Sequence, residues 1–288
     1  MFGAGGAVGE AAAHALMAGG WHVTASLRTR RRGPAERLVQ NGAAVRYDDL
    51  EGPGGWSDAA ATCEAIVFTT QLGLTNVALA RMSVAKQRIV AFSSNNVAIQ
   101  PDAQSYVDLA AAERSLRARH PGAAIIRPTL IYGDPRLPTL TRLMRIARAW
   151  PFVPMPGTGL ALVQPVFHED LGRAAAWLAG TTGEGTYAIG GPDSVTMRGL
   201  YRAVIRAAGS KARIVPVSET LLRWGAPMLT LLNLYSSEQT VRVDRDRLTV
   251  RQTSLPPEIV AKVGLKEGLA HLAAALGTPP VNQAGKRS

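Results

Sequence analysis

The sequence predicts an α/β fold, a doubly wound parallel sheet with a smaller mixed C-terminal region, whose first strand is cut short. Three observations carry that expectation. Continuous apolar runs, AIVFT at 65–69 and RIVAF at 88–92, suit strands buried on both faces. Helical patterns separate such runs, giving a β-α-β-α rhythm over the first half of the chain. A glycine tract, GAGGAVG from Gly3 to Gly9, opens the chain directly before a helical stretch.

The elements follow in order. Residues 11–18 are alanine-rich and helical, stopped by Gly19 and Gly20, a common helix ending. Residues 22–27 form a strand. Pro34 suits the first turn of a helix running to Gln40, and residues 44–47 form the next short strand. After the runs at 65–69 and 88–92, residues 105–119 are helical and 124–127 strand-like. Beyond about Pro135 the rhythm loosens. A basic helix spans 139–149, and WPFVPMPGTG at 150–159 reads as a proline-glycine loop. Asp170 is placed to cap a helix to Ala179, and Thr196 another to Ala208. The apolar stretch 220–235, interrupted by Arg223, Pro227 and Asn233, reads as a buried helix. The expected division is residues 1–135 as a dinucleotide-binding core, 136–278 as a mixed substrate-side region, and 279–288 as a tail. Only Met1 and Phe2 precede Gly3, where a strand of about five residues is expected. The expectation is a shortened chain, or a start codon assigned too late, with the neighbouring strand edges left unpaired.

Composition narrows the function. Of 288 residues, 47% are hydrophobic and 18% charged, which excludes disorder. One cysteine, Cys63, excludes a disulfide framework within the chain. No uncharged apolar run reaches the ~18 residues of a membrane span, and the start shows no secretory pattern, so a cytoplasmic protein is expected. The net charge of +11 favours anionic partners in general. Its arginines are spread over helical patterns, however, and form no tail or aromatic-interleaved stripe, so nucleic acid is not an expected partner. The five histidines lack metal-ligand spacing, and no metal is expected.

The glycine tract has a physical use. Gly3, Gly6 and Gly9, with Ala7 and Val8 at the helix start, let a pyrophosphate approach bare backbone, and the helix N-terminus offers N–H groups and a positive dipole end. Glycine-alanine tracts also occur without that role. The residues after the second strand choose the cofactor: an acid about 20 residues on binds the ribose hydroxyl of NAD, whereas arginine accommodates the phosphate of NADP. No acid lies between Glu10 and Glu36. Arg28 and Arg30, followed by Arg31 and Arg32, stand there instead, and guanidinium groups match phosphate oxygens. NADP(H) is therefore preferred over NAD(H), the alternative being solvated loop arginines.

With these residues in view, the chain resembles the short-chain dehydrogenase/reductase superfamily, in its NAD-dependent epimerase/dehydratase and atypical branches. The resemblance rests on GAGGAVG, Asp48-Asp49-Leu50, FSSN after the RIVAF strand, AAAERSLR, IIRPTLIYGDP, PMPGTG, QPVFHEDLGRA and GTYAIGGPDSVTMRGL, in that order. It implies a Rossmann domain with a smaller part closing over the substrate. It implies that Asp49, with Leu50 beside it, meets the adenine, unless Asp49 only serves its turn. Thr69 and Thr70 would line the cofactor, and Pro128 would sit beside the nicotinamide. Ser94 would polarise the reacting oxygen.

The resemblance breaks at the proton-shuttling tyrosine and the lysine four residues beyond it. Tyr106 lies where the tyrosine is expected, but Ala110 stands four residues on. Anchoring on AAAERSLR puts Ser105 and Leu109 in those places instead. No lysine occurs between Lys86 and Lys211. An ordinary tyrosine titrates near ~10, so about one in a thousand is ionised at pH 7, and the lysine's charge is what corrects this. An arginine such as Arg127 is a conceivable substitute. Two functions are therefore expected in competition. One is an NADP(H)-dependent epimerase, dehydratase or reductase acting on a hydroxyl or carbonyl carbon of a small molecule, a nucleotide sugar being one candidate. The other is an NADP(H)-binding sensor or structural subunit without turnover. Substrate identity and oligomeric state are not legible.

Overall fold

In the computed structural model the apolar runs of the first half line up as parallel strands, each short and β-branched enough to be covered on both faces. The structure describes residues 1–30, 33–52, 56–84, 86–99, 103–218 and 255–277. In chain order the elements begin with α1 (Ala7–Ala18), β1 (Thr24–Leu27), α2 (Pro34–Gln40), β2 (Ala44–Tyr47), α3 (Trp56–Ala61), β3 (Ala65–Phe68), α4 (Leu72–Ala80) and β4 (Arg88–Phe92). There follow α5 (Asn96–Ile99), α6 (Gln104–Arg119), β5 (Ala124–Pro128), β6 (Ile131–Tyr132), α7 (Pro138–Ala149), β7 (Phe152–Pro156) and β8 (Leu162–Val163). The last are β9 (Val166–Phe167), α8 (His168–Ala179), β10 (Gly185–Ile189), β11 (Val195–Thr196), α9 (Met197–Ala207), β12 (Arg213–Val217) and α10 (Leu265–Ala275). The expected helix at 220–235 and tail at 279–288 lie outside the described residues.

The chain divides into two compact units. The described part of the first comprises 1–131, 164–194 and 255–263. Its parallel strands run β10-β5-β4-β3, then Phe2, then β1-β2. Phe2 bridges Ser26 of β1 on one side and Phe68 of β3 on the other, so it holds the place of a central strand. Its N–H donates to the Val67 carbonyl (2.8 Å) and its carbonyl accepts from Thr69 (3.0 Å). Towards the start of that strand, β1 and β3 part around a cavity of about 490 Å³ lined by Met1, Val23, Thr24, Cys63, Ala65 and Val67 among others.

Alternation along the strands feeds two cores. Val67, Val90, Phe92, Ala124 and Ile126 join Ala12, Ala13 and Leu16 of α1 and Leu171, Ala174, Ala175 and Leu178 of α8. Phe2, Ile66, Phe68, Ile89, Ala91 and Ile125 join Trp56 of α3, Leu72 and Leu79 of α4 and Leu116 of α6 on the other face. Such two-sided cover makes the sheet doubly wound, and the order reverses at Phe2.

Asp170 departs from its expected role. The N-cap of α8 is Phe167, with no side-chain cap. Asp170 is instead fully buried in the first turn, accepts the N–H groups of Lys262 and Val263 (both 3.0 Å), and pairs with Arg173 (2.7 Å). It ties the 255–263 segment to the unit.

The described part of the second unit comprises 132–163, 195–218 and 264–277. Helices α7 and α10 both pack on α9. Thr196 caps α9 as expected, its Oγ1 accepting from Gly199 N–H (3.0 Å). Arg148 of α7 donates to the Ala273 and Gly277 carbonyls at the C-terminal end of α10. The expected loop at 150–159 contains a strand: β7 pairs in parallel with β12, Phe152 opposite Arg213 and Pro156 opposite Val217. Among the described residues β7 pairs with β12 alone, and prolines are confined to such edge strands.

Candidate cofactor and catalytic site

The glycine tract continues the Phe2 strand into α1, at the C-terminal edge of the sheet where its order reverses. In open α/β sheets that point is where ligands bind. Gly3 takes a positive φ of 81° to turn the chain, and Gly6, the N-cap of α1, donates to the Gly3 carbonyl (3.1 Å). Gly9 permits a close approach: a Cβ there would fall inside the Gly3 carbonyl oxygen and 2.7 Å from Thr69 Oγ1. The turn therefore presents bare backbone beside the N–H groups of Ala7, Val8 and Gly9, which a helix cannot satisfy from within. This cradle fits a pyrophosphate.

Thr69 supports the turn from behind, its Oγ1 donating to the carbonyls of Phe2 (3.1 Å) and Gly3 (3.0 Å). Thr70 bonds to Thr75 of α4 (3.0 Å). On the opposite side Ala4 N–H donates to Ser26, and the exposed Arg28 follows directly on β1. Arg30 lies over the Tyr47 ring, 4.7 Å from its centroid. Asp49 Oδ1 accepts the Glu51 N–H (3.1 Å) within its own turn, and the Leu50 side chain is buried in the core beside Phe2 and Trp56.

The second cluster forms where β4 ends. Ser93 N–H donates to Ile126 and Asn95 N–H to the Pro128 carbonyl (3.0 Å), so the FSSN segment is clamped to β5. Asn96 then joins the two sequence-predicted catalytic residues. Its N–H donates to Ser94 Oγ (3.2 Å) and its Nδ2 to Tyr106 Oη (2.7 Å). Of the two possible registers, Tyr106 makes this contact, while Ser105 is exposed. Leu109 and Ala110 are half-buried on the same helix.

Beneath lies a network that sequence reasoning missed. Glu113, seven residues and two helical turns beyond Tyr106, is buried; it accepts from Ser93 Oγ and takes both its oxygens to the Arg127 guanidinium. Arg127 is thus held by Glu113 rather than standing in for the lysine. Among the described residues no cluster of three histidine, cysteine or acidic side chains forms a metal site.

No family model matches the chain, and no curated protein matches it. Solved structures do. A UDP-glucuronic acid 4-epimerase from Bacillus cereus, in complex with UDP-glucuronic acid and NAD, is 14% identical, with 96% of this chain and 97% of that one covered and a TM-score of 0.71. A nucleoside-diphosphate-sugar epimerase from Pseudomonas aeruginosa is 18% identical, covered 96% and 95%, with a TM-score of 0.73. An NAD-dependent NDP-hexosamine 5,6-dehydratase of tunicamycin biosynthesis is 15% identical, covered 96% and 96%, with a TM-score of 0.72. The chain therefore has the α/β fold of the NAD-dependent epimerases and dehydratases, over nearly its whole length. Among the described residues no helix is long and apolar enough to cross a membrane.

Proposed function

We propose that the protein binds NADP(H) in preference to NAD(H) and acts as an epimerase/dehydratase-like oxidoreductase on a hydroxyl-bearing carbon of a nucleotide sugar. The observation that carries this reading is the bare glycine turn at the sheet's reversal point, with Ser94 and Tyr106 joined through Asn96 at the end of β4. The nicotinamide would supply hydride acceptance and return. Ser94 donates a hydrogen bond to the substrate oxygen, and Tyr106 moves the proton. Asn96 positions Tyr106, and its amide offers Oη a neutral donor where the related enzymes of the superfamily place a lysine charge. That exchange predicts slow proton transfer.

A second reading has an observation of its own. With Leu109 and Ala110 near Tyr106 and Arg127 held by Glu113, the cofactor turn is intact while the proton shuttle lacks its cation. A non-turnover NADP(H)-binding subunit has those features.

Fluorescence titration with NADPH and NADH tests the cofactor assignment. NADPH binds more tightly, and Arg28→Ala weakens it by about 10- to 100-fold, the value of a charge-assisted phosphate contact, leaving NADH binding unchanged. Equal affinity for both cofactors in the parent chain overturns the NADP preference. Nicotinamide absorbance changes with nucleotide-sugar substrates, abolished in a Ser94→Ala, Tyr106→Phe double variant, select the enzyme. Tight NADPH binding without any turnover selects the binding subunit.

A further inference from the structure

The fold distributes charge very unevenly. The described residues of the first unit carry thirteen arginines and lysines against fourteen acids, so they are nearly neutral. The described residues of the second carry ten against two, Asp134 and Glu267. Asp134 is already occupied by Arg136 (2.6 Å).

Much of this excess lines one groove. Arg198, Arg202 and Arg206 recur every fourth residue along α9, so they form one row. Arg213 of β12 closes the row, and Ile214 and Pro216 contribute apolar surface. The groove is open, with a volume of about 530 Å³. Four helical residues rise about 6 Å, so the three guanidinium groups stand at regular intervals over about 12 Å, those of Arg202 and Arg206 exposed and that of Arg198 also donating to the Thr158 carbonyl (3.3 Å). Like charges at this spacing repel, and Arg198 stands in the first turn of α9, at the positive end of the helix dipole. Helix stability explains Arg206, in the last turn, and the Thr158 carbonyl gives Arg198 a partner, but neither accounts for the exposed Arg202.

Two aromatic side chains stand beside Arg213 on the neighbouring strand. Phe152 is the register partner of Arg213 on the parallel strand β7, which puts the two side chains on one face. Trp150 meets Phe152 edge to face, with centroids 6.1 Å apart. Both rings are about half exposed, 55% for Trp150 and 48% for Phe152. Arginines that neutralise successive phosphates beside rings on which bases stack are the components of single-strand recognition. In the sequence these residues are scattered over 150–213, and folding brings them together.

We infer that the groove between α9 and β12, with Phe152 and Trp150 beside Arg213 on the neighbouring strand, binds single-stranded nucleic acid through its phosphates, without base sequence preference. A concave arginine row favours a flexible polyanionic strand over a membrane surface, which requires a flat or convex apolar face. The inference uses only the second unit and does not depend on the cofactor reading.

The test is fluorescence anisotropy of a labelled 15-nucleotide oligothymidylate with the full chain, repeated over a salt series. Micromolar or tighter binding is expected at low salt, weakening as salt rises with a logarithmic slope of about −3, since each single-strand phosphate contact contributes about −0.7. The Arg202→Ala, Arg206→Ala, Arg213→Ala triple variant brings the slope to about −1. Trp150→Ala with Phe152→Ala weakens binding about fivefold or more without changing the slope. Thermal melting confirms that each variant is folded, and if the triple variant melts early, the exposed single change Arg202→Glu carries the test. Absence of oligonucleotide binding, binding indifferent to the arginine changes, or retention on phosphatidylserine vesicles in place of the oligonucleotide overturns the inference.

Discussion

A methyl group added at Gly9 meets the Gly3 carbonyl oxygen and Thr69 Oγ1 at once, and neither is the movable end of a long side chain. Gly9→Ala must push α1 away from the turn that Thr69 holds. The expected cost is about 1–3 kcal/mol, the usual range for overpacking, with NADPH affinity reduced about tenfold or more because the helix N-terminus shifts with the turn. Parallel melting and cofactor titration check this, and unchanged NADPH affinity would remove the turn from the site. The demands of this turn are local, so the spacing of Gly3, Gly6 and Gly9 announces them in the sequence. The catalytic cluster is different. Ser94 and Tyr106 are readable only through family resemblance, and Asn96, which joins them, carries no local signal because its partner lies ten residues away across a helix break. Glu113 had one faint sign: two helical turns from Tyr106, it shares that residue's helix face.

At the scale of elements, the β-α-β-α rhythm is legible because burial on both faces forces continuous apolar strands. The ranges 34–40 and 44–47 read from Pro34 and the short run after Gly42 are those of α2 and β2. Strand β7 was hidden because its two prolines suggest a loop wherever the pairing partner is unknown. Asp170 was hidden for a related reason. Its position before an apolar helix suggests a cap, whereas its actual partners, the N–H groups of Lys262 and Val263, come from a segment some ninety residues later in the chain. A buried carboxylate holding two backbone donors and an arginine makes α8 the anchor for that segment. Asp170→Ala is expected to cost about 3 kcal/mol, because two donors and a cation lose their shared partner together. Asp170→Asn keeps one acceptor oxygen and is expected to cost about half as much. Denaturant melts measure both, and a loss below about 0.5 kcal/mol for Asp170→Ala would mean that the segment is held by its apolar contacts alone.

For the molecule as a whole, the central sheet and an ionisable group meet at Met1 in a chain that begins there. In a chain begun at Met1, the partly buried ammonium group donates to the Thr24 carbonyl (2.6 Å). Desolvation lowers its pKa from 8.0 to about 6, against the opposing pull of Cys63 and Asp48. Folding therefore favours the neutral amine. Below pH 6 the group is protonated in both the folded and unfolded chain, and the folded state bears the desolvation cost. Between pH 6 and 8 the unfolded chain binds more protons than the folded one, so stability rises with pH; above 8 both states are neutral and the rise ends. A displacement of that size corresponds to about 2–3 kcal/mol. His120, its pKa lowered by burial and then by Arg119, adds a rise of the same sign at lower pH. Unfolding midpoints in denaturant at pH 5.5, 7 and 8.5 should therefore increase in that order. An N-acetylated chain carries no amine to titrate, so it should keep only the histidine part of the rise. If the acetylated and free chains gain equally between pH 6 and 8, the Met1 amine is solvated in the native protein and Phe2 alone holds the centre of the sheet.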